Sequence, residues 1–415
     1  MTVVGAETPA LHSAALAVFV RAGSRYENAE VNGVSHFLEH LLFRGSEGYP
    51  DTLAMNAVVE SAGGSLNAVT ARDYSCFYTP IHPDFLATGL DVLGDIVRRP
   101  LFRDVDVERQ VILEEILDEV DASGRDVDPD NLAKRLAFGT HPLGLKIAGT
   151  PRTVRAIREA HLRAHHARFY SGANVVVAAA GPFPFESVVG AARAPFGPIP
   201  RGRASRASPP PRWRAGPLCR AVDHEDAQAE FTLSFPSVAE HHPDFPAALC
   251  LRRMLDDGLS SRLPYEIVER RGLAYSIHCG LESFEDVGVF CIDGACSPAR
   301  LGRVLEAVFE VLSGAGAGLA AAEELERAQR RHRMSLSFAT DSAHELASWF
   351  GTGELLGWPE QMEGRCRRVE RVRPGEVSRV ARATFRRRNL VAALVGPNAP
   401  GLRRALFRAA SALPR

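Results

Sequence analysis

The stretch VSHFLEHLLFRG places His36, Glu39 and His40 at i, i+3 and i+4, on one face of a helix expected over 34–43 and closed by Gly45. Two imidazoles one turn apart can grip one metal ion. The glutamate between them lies on the same face, where it can take a proton from a water that the metal activates without being a ligand. The order is HxxEH, the inverse of the better-known HExxH. Three fixed residues are a short motif, and an ordinary solvated helix face is the bland alternative. The flanks decide between them. Phe37, Leu38, Leu41, Leu42 and Phe43 make the helix apolar on its other sides, so it is expected to be buried, and a polar stripe on a buried helix needs partners or a metal.

Zinc at a catalytic site usually takes three protein ligands and leaves a fourth position for water. The segment ERQVILEEILDEVD supplies candidates for the third: at helical spacing Glu108, Ile112, Glu115 and Glu119 fall on one stripe, while Glu114 and Asp118 fall elsewhere. With Val107, Val111, Leu113, Ile116, Leu117 and Val120 around it, this helix too is expected to be largely buried. Three carboxylates on one such stripe would repel one another unless a cation sits near them, the alternative being a salt-bridged interior helix. Other histidines carry less. His161 and His165 stand at i, i+4 without an acid between them and with Arg163 and Arg168 close by to repel a cation, and His241 and His242 precede Pro243 in a polar loop. Packing or surface roles are expected for all four.

The elements that must position these residues occur twice. The first half reads as a strand over 14–20, helices over 34–43 and 52–61, strands over 65–70 and 75–81, more helices and a last strand; the second reads as a strand over 229–235, helices over 246–255 and 263–270, strands over 274–281 and 287–292, more helices and a last strand. HHARFYSGANVVVAAAGP near the end of one half matches ATFRRRNLVAALVGP near the end of the other, and Asn174 and Asn389 each stand seven residues before a Gly-Pro. Between the halves, 194–217 (APFGPIPRGRASRASPPPRWRAGP) is rich in Pro, Gly, Arg and Ser and has no helical or strand period, as a linker does. The expected fold class is α+β: two homologous domains, 1–193 and 218–415, each a mixed or antiparallel sheet packed with helices, with the metal motif only in the first.

Composition narrows the partners. Among 415 residues 46% are hydrophobic and 24% charged, as in soluble globular chains, and the net charge of −1 gives no one-sided positive field for a phosphate backbone, so nucleic acid is not expected. The start, MTVVGAETPALHSAALAVF, lacks the basic segment and cleavage site of a secretory signal, and no apolar run approaches the roughly 18 residues needed to cross a bilayer, so a cytoplasmic protein that does not enter membranes is expected. The seven cysteines are scattered without CxxC spacing and read as buried free thiols.

GSRYE, GVSHFLEHLLFRGSEGYP, SAGGSLNAVTARDYSCFY, the ERQVILEEI helix, HPLG, FYSGANVVVAAAG and, in the second half, LSSRLPYEIVERRGLAYSI occur in the order found in the pitrilysin-type inverted-motif zinc peptidases. Within that family the chain resembles the short subunits akin to the mitochondrial processing peptidase beta subunit. The resemblance implies His36, His40 and Glu115 as ligands of one zinc per chain, Glu39 as base, and Glu108 as a carboxylate behind the ligands. It also implies that the strand carrying Asn67 and Ala68 pairs with a peptide substrate, and that Tyr275 helps to stabilise the reacting carbonyl. An Arg that the family places seven residues before this Tyr is here Val268, with Arg270 and Arg271 off register. That departure points to a zinc-bearing chain paired with a homologous subunit that supplies Arg and Tyr, or else to a homodimer working without the Arg. The implied activity is zinc-dependent endopeptidase action on peptides or unfolded segments inside a dimer chamber. The alternative is a non-catalytic peptide-binding or scaffold subunit.

Overall fold

The computed structural model describes residues 1–225, 227–317 and 322–415. Two compact units emerge, each assembled from three stretches of chain: Met1–Ile116, Leu145–Ser208 and Leu336–Glu360 form the first, and Leu117–Gly144, Pro209–Ser335 and Gln361–Arg415 form the second. The contiguous halves expected from the sequence are therefore modified by exchanged pieces, while one chain crossing, at Ser208/Pro209, falls inside the Pro/Arg-rich segment 194–217.

In the first unit the strands are β1 (Thr2–Glu7), β2 (Ala14–Val20), β3 (Asn67–Thr70), β4 (Ser75–Ile81) and β5 (Val175–Gly181), in the order β1-β5-β2-β4-β3. In the second they are β6 (Leu218–Asp223), β7 (Ala229–Ser237), β8 (Ser276–Ser283), β9 (Gly288–Cys296) and β10 (Val391–Gly396), in the order β6-β10-β7-β9-β8. The two orders are the same, each with one parallel pair, β1 with β5 and β6 with β10, and antiparallel pairs elsewhere. Both sheets are mixed and both units are α+β. β1 and β6 are the strands the sequence does not announce. Each is a short edge strand whose only sheet partner lies more than a hundred residues further along, so its extended form is supported by pairing with β5 or β10 and not by a local pattern.

β5, VVVAAAG, is buried along its whole length, as a central strand covered on both faces must be. The helices that matter below are α1 (Val34–Leu42), α2 (Val105–Glu115), α3 (Pro129–Phe138), α4 (Glu159–Phe169), α5 (Ala343–Leu356) and α6 (Ala399–Ala409). α5, from the second half of the sequence, covers β2 and β5 of the first unit, and α3, from the first half, packs on β7 and β10 of the second. Gly351 on α5 makes room for Phe19 of β2, since a Cβ there would stand 2.2 Å from Cε2 of Phe19. All seven cysteines are free, five of them buried.

Candidate metal centre

α1 packs against α2, α4, β3 and β4 and buries Val34, Ser35, His36, Phe37, Leu38, Leu41 and Leu42. Its N-terminus is closed by an unusual device. Gly33 adopts the left-handed conformation (φ +95°) with a Cβ position only 2.7 Å from the Ala148 carbonyl oxygen, a place for glycine alone, and it has no side chain to cap the helix. The buried carboxylate of Glu27 does so instead. Its Oε1 accepts the Ser35 N–H at 2.8 Å, and its Oε2 accepts the Gly33 N–H at 2.7 Å and the Asn32 side-chain amide at 2.9 Å. Burial pushes the Glu27 carboxyl up, and hydrogen bonds from Asn32, Ser35 and Gly33 oppose that rise. A negative group here also meets the positive end of the helix dipole. Ser35 Oγ lies 3.2 Å from Nε2 of the buried His165 on α4.

The functional face then follows. Nε2 of His36 lies 3.5 Å from Oε1 of Glu115 and 4.0 Å from Oε2 of Glu39, while Nε2 of His40 lies 3.5 Å from Oε2 of Glu115. The two rings are inclined at 67° with centroids 4.6 Å apart. One ligand atom from each of His36, Glu39 and His40 falls within 4.8 Å of the others, and among the described residues no other group of histidines, cysteines and acids converges in this way. Glu108 stands behind His40: its Oε2 is 3.2 Å from His40 Nδ1, and its Oε1 accepts the Nε–H of Arg44. Arg109, next to Glu108, ties α2 down by donating to the carbonyls of Val154 at 2.6 Å and Ile157 at 2.7 Å, with its guanidinium over the Phe37 ring. Thr70, at the end of β3, makes a long contact of 3.5 Å from its hydroxyl to Glu39 Oε2.

Electrostatics divide the pair of imidazoles. Burial, helped by the charge of His40, lowers His36 to about 4. Burial also acts against protonation of His40, but hydrogen bonds to Glu108 and Glu115 and the charge of Glu39 outweigh it and raise His40 to about 10. Burial raises the Glu39 carboxyl. The hydrogen bond to His40 lowers Glu115, and for Glu108 the bonds to His40 and Arg44 overcome the opposing effect of burial. Three carboxylates thus surround two imidazoles, and while burial disfavours the charged form of His36, the acids favour that of His40. Two Nε2 atoms aimed at one carboxylate, with surplus negative charge around them, form a donor set that fits zinc.

Two expectations are corrected. The segment is not largely buried: Val107 and Val111 of α2 and Leu117 just beyond it are exposed, and in α2 only Glu108 and Ile112 are buried, because the stripe toward α1 alone is covered. Glu119 does not continue that stripe, since the α-helix ends at Glu115 and a tighter 3-10 turn, Ile116–Glu119, follows. Glu115 itself has a half-exposed side chain, 50%, so the centre opens to solvent on its side. Asn67 and Ala68 lie on β3, the edge strand of the first sheet, opposite Tyr78 and Phe77 of β4. Tyr275 belongs to the second unit, just before β8, and is 93% exposed. Val268 packs at the margin of the second core, while Arg270 and Arg271 are engaged by Glu266 and Glu310. Glu27, Thr70, Arg44 and Arg109 complete the surroundings without being singled out by motif spacing, as does His165, whose spacing to His161 points only to a packing role. For Glu27 the one signal is an acid a few residues ahead of an uncapped helix start.

Residues 2–151 match the model of the insulinase family, peptidase family M16, and residues 156–331 match that of the peptidase M16 inactive domain. An uncharacterised zinc protease of Mycobacterium tuberculosis is 34% identical over 405 residues, 94% of this chain and 90% of the relative. A probable mitochondrial-processing peptidase subunit beta of Schizosaccharomyces pombe is 28% identical over 417 residues, 95% of this chain and 89% of the relative. Among solved structures, a peptidase M16 inactive domain from Pseudomonas fluorescens superposes with a TM-score of 0.84 at 20% identity, covering 95% of each chain, and shares the fold. The chain belongs to peptidase family M16.

Proposed function

We propose that this chain is a zinc-dependent endopeptidase acting in the cytoplasm on peptides or unfolded polypeptide segments, with one zinc held by Nε2 of His36, Nε2 of His40 and the carboxylate of Glu115. The observation that supports this most directly is the approach of both imidazole Nε2 atoms to the two oxygens of Glu115, each at 3.5 Å, with Glu39 beside them. The names of relatives, zinc proteases and a processing-peptidase subunit, point the same way.

When bound, zinc supplies Lewis acidity that polarises the scissile carbonyl and lowers the pKa of a neighbouring water. Glu39 takes the proton from that water and later delivers it to the leaving amine; burial, which raises its carboxyl, suits it to both tasks. Glu108 orients His40 by holding its Nδ1, with the Nε2 left for the metal. β3 offers its free edge to the substrate backbone, and only an extended segment can add to a sheet there, so folded proteins are poor substrates. The hydroxyl of Tyr275 stabilises the developing negative charge, within a dimer chamber that a homologous subunit carrying both Arg and Tyr completes. A scaffold role is disfavoured by the intact donor set, which a peptide-binding subunit does not need.

The test is removal and return of the metal. Purified protein treated with a chelator loses cleavage of an internally quenched unstructured peptide and regains it with one equivalent of zinc, while a folded protein of the same composition survives. Protein that retains no zinc and cleaves no peptide would overturn the reading and favour the scaffold, and cleavage indifferent to chelation would overturn the dependence on zinc.

A further inference from the structure

The second unit carries a groove that the proposed hydrolysis does not use. It is a cavity of about 700 Å³ between β6 and α6, lined by Cys219, Arg220 and Ala221 on the strand and by Arg403, Arg404, Phe407 and Arg408 on the helix. β6 is an edge strand whose sheet partner is β10. In the parallel ladder the N–H groups of Leu218 and His224 bond to Leu390 and Gly396, so even-numbered residues face β10 and the N–H and C=O groups of Cys219 and Ala221 point to the open side. The four arginines are exposed, and among the described residues no carboxylate pairs with any of them. Arg403 lies over the Phe407 ring at 5.5 Å, and its charge opposes the rise of the half-buried Cys219 thiol, which burial pushes up to about 11. Asp223 is the acid of this strand, and its Oδ1 is taken by the Asn398 N–H at 2.9 Å.

We propose that this groove binds an extended acidic peptide segment that adds to β6 as a further strand and sets alternate carboxylates against the arginines of α6. The spacing agrees with the chemistry. Arg404 and Arg408, one helical turn apart, are separated by about 6 Å along the axis, and residues i and i+2 of a strand by roughly 6.6 Å, so consecutive carboxylates on one face of the peptide meet successive guanidinium groups. The open backbone groups at Cys219 and Ala221 favour a peptide over a nucleic acid or a lipid headgroup, neither of which can complete a sheet ladder. Guanidinium forks also favour carboxylate ligands in general.

The probe is a fluorescein-labelled octapeptide of alternating Glu and Val, titrated against the full chain by anisotropy, with its integrity checked by mass spectrometry. Arg404→Glu/Arg408→Glu weakens binding at least tenfold, Arg404→Lys/Arg408→Lys keeps most of it, and N-methylation of alternate amides in the probe also weakens it at least tenfold. Cleavage of an unrelated quenched peptide stays at the wild-type rate in both variants, which separates this groove from the metal centre. Equal affinity of the charge-reversed variant, equal affinity of the N-methylated probe, or displacement of the probe by a neutral substrate of the metal centre would each overturn the proposal.

Discussion

Nδ1 of His40 lies 3.2 Å from Oε2 of Glu108, and this contact decides which nitrogen the ring presents to the rest of the centre. With Nδ1 turned to α2, Nε2 is left toward Glu115. Glu108 is itself held by Arg44, in the turn that follows α1, so the orientation of the imidazole is fixed from two sides. Glu108 and Glu115 raise His40 to about 10, and a divalent cation held by His36, His40 and Glu115 would supply the positive charge that these same carboxylates favour.

Glu115→Gln should lower zinc affinity far more than Glu114→Gln. Glu115 faces both histidines, whereas its neighbour is exposed on another face of α2. Since loss of partners behind a metal ligand already costs about 10- to 100-fold, loss of a ligand should cost more than about 100-fold. Titration with a competing chelator measures both variants, and equal affinities would remove Glu115 from the ligand set.

Glu39→Gln should keep zinc and lose hydrolysis. The amide has nearly the same shape but cannot accept a proton, and a general base contributes about 10²- to 10⁴-fold. Metal content and peptide turnover measured on one sample check this. A variant retaining more than about a tenth of the wild-type rate would exclude Glu39 as the base.

The Glu27 cap predicts a cost in both stability and metal binding. Glu27→Gln leaves one acceptor oxygen where two received the N–H groups of Gly33 and Ser35 and the Asn32 amide, and it turns an amide donor toward a donor. A loss of about 1–3 kcal/mol is expected in urea unfolding, the usual cost of a buried group left without its partner. Zinc affinity should fall with it, because Ser35 immediately precedes His36. Unchanged stability would mean that α1 does not depend on this carboxylate.

Much of the centre was readable in the sequence because it is local. His36, Glu39 and His40 need only one helix, and the apolar residues around them reveal that the helix is buried. Glu108 and Glu115 follow from the same helical period on α2. The period misleads at Glu119, where a 3-10 turn replaces the α-helix, and on the outer face of α2, where valines are exposed. Partners brought in by tertiary structure leave almost no trace: His165 reads as one of a pair on its own helix, yet its contact is to Ser35 on another. β1 and β6 fail to appear for the same reason, since each becomes a strand through one distant partner.

His165 also predicts a pH dependence of stability in the metal-free protein. Burial, with the charges of Arg168 and His166 acting in the same direction, lowers it from the ordinary 6.5 to about 3. A depressed histidine binds its proton more readily in the unfolded chain, so its contribution to stability is complete above about pH 6.5 and is lost as pH falls from there toward 3. His165→Asn should therefore flatten the decline in unfolding free energy between pH 6.5 and 4, by as much as one proton's worth of slope. An identical slope in variant and wild type would show that His165 does not stay neutral in the fold.

The position of Val268 yields the prediction that bears most on how the peptidase is assembled. A carbonyl under attack develops negative charge, and a positioned Arg or Tyr hydroxyl stabilises it in a water-poor site. Here Val268 packs at the margin of the second core, and the nearby arginines are engaged, Arg270 by Glu266 and Arg271 by Glu310, so neither is free to take the missing role. Tyr275, by contrast, is 93% exposed and available. The isolated chain should cleave an unstructured peptide slowly, and a homologous subunit bearing both Arg and Tyr should raise the rate at least tenfold even when it holds no zinc. Tyr275→Phe should lower the residual rate of the isolated chain without changing its zinc content. Full activity of the isolated chain, indifferent both to such a subunit and to Tyr275→Phe, would instead establish a self-sufficient homodimer that stabilises the reacting carbonyl by other groups.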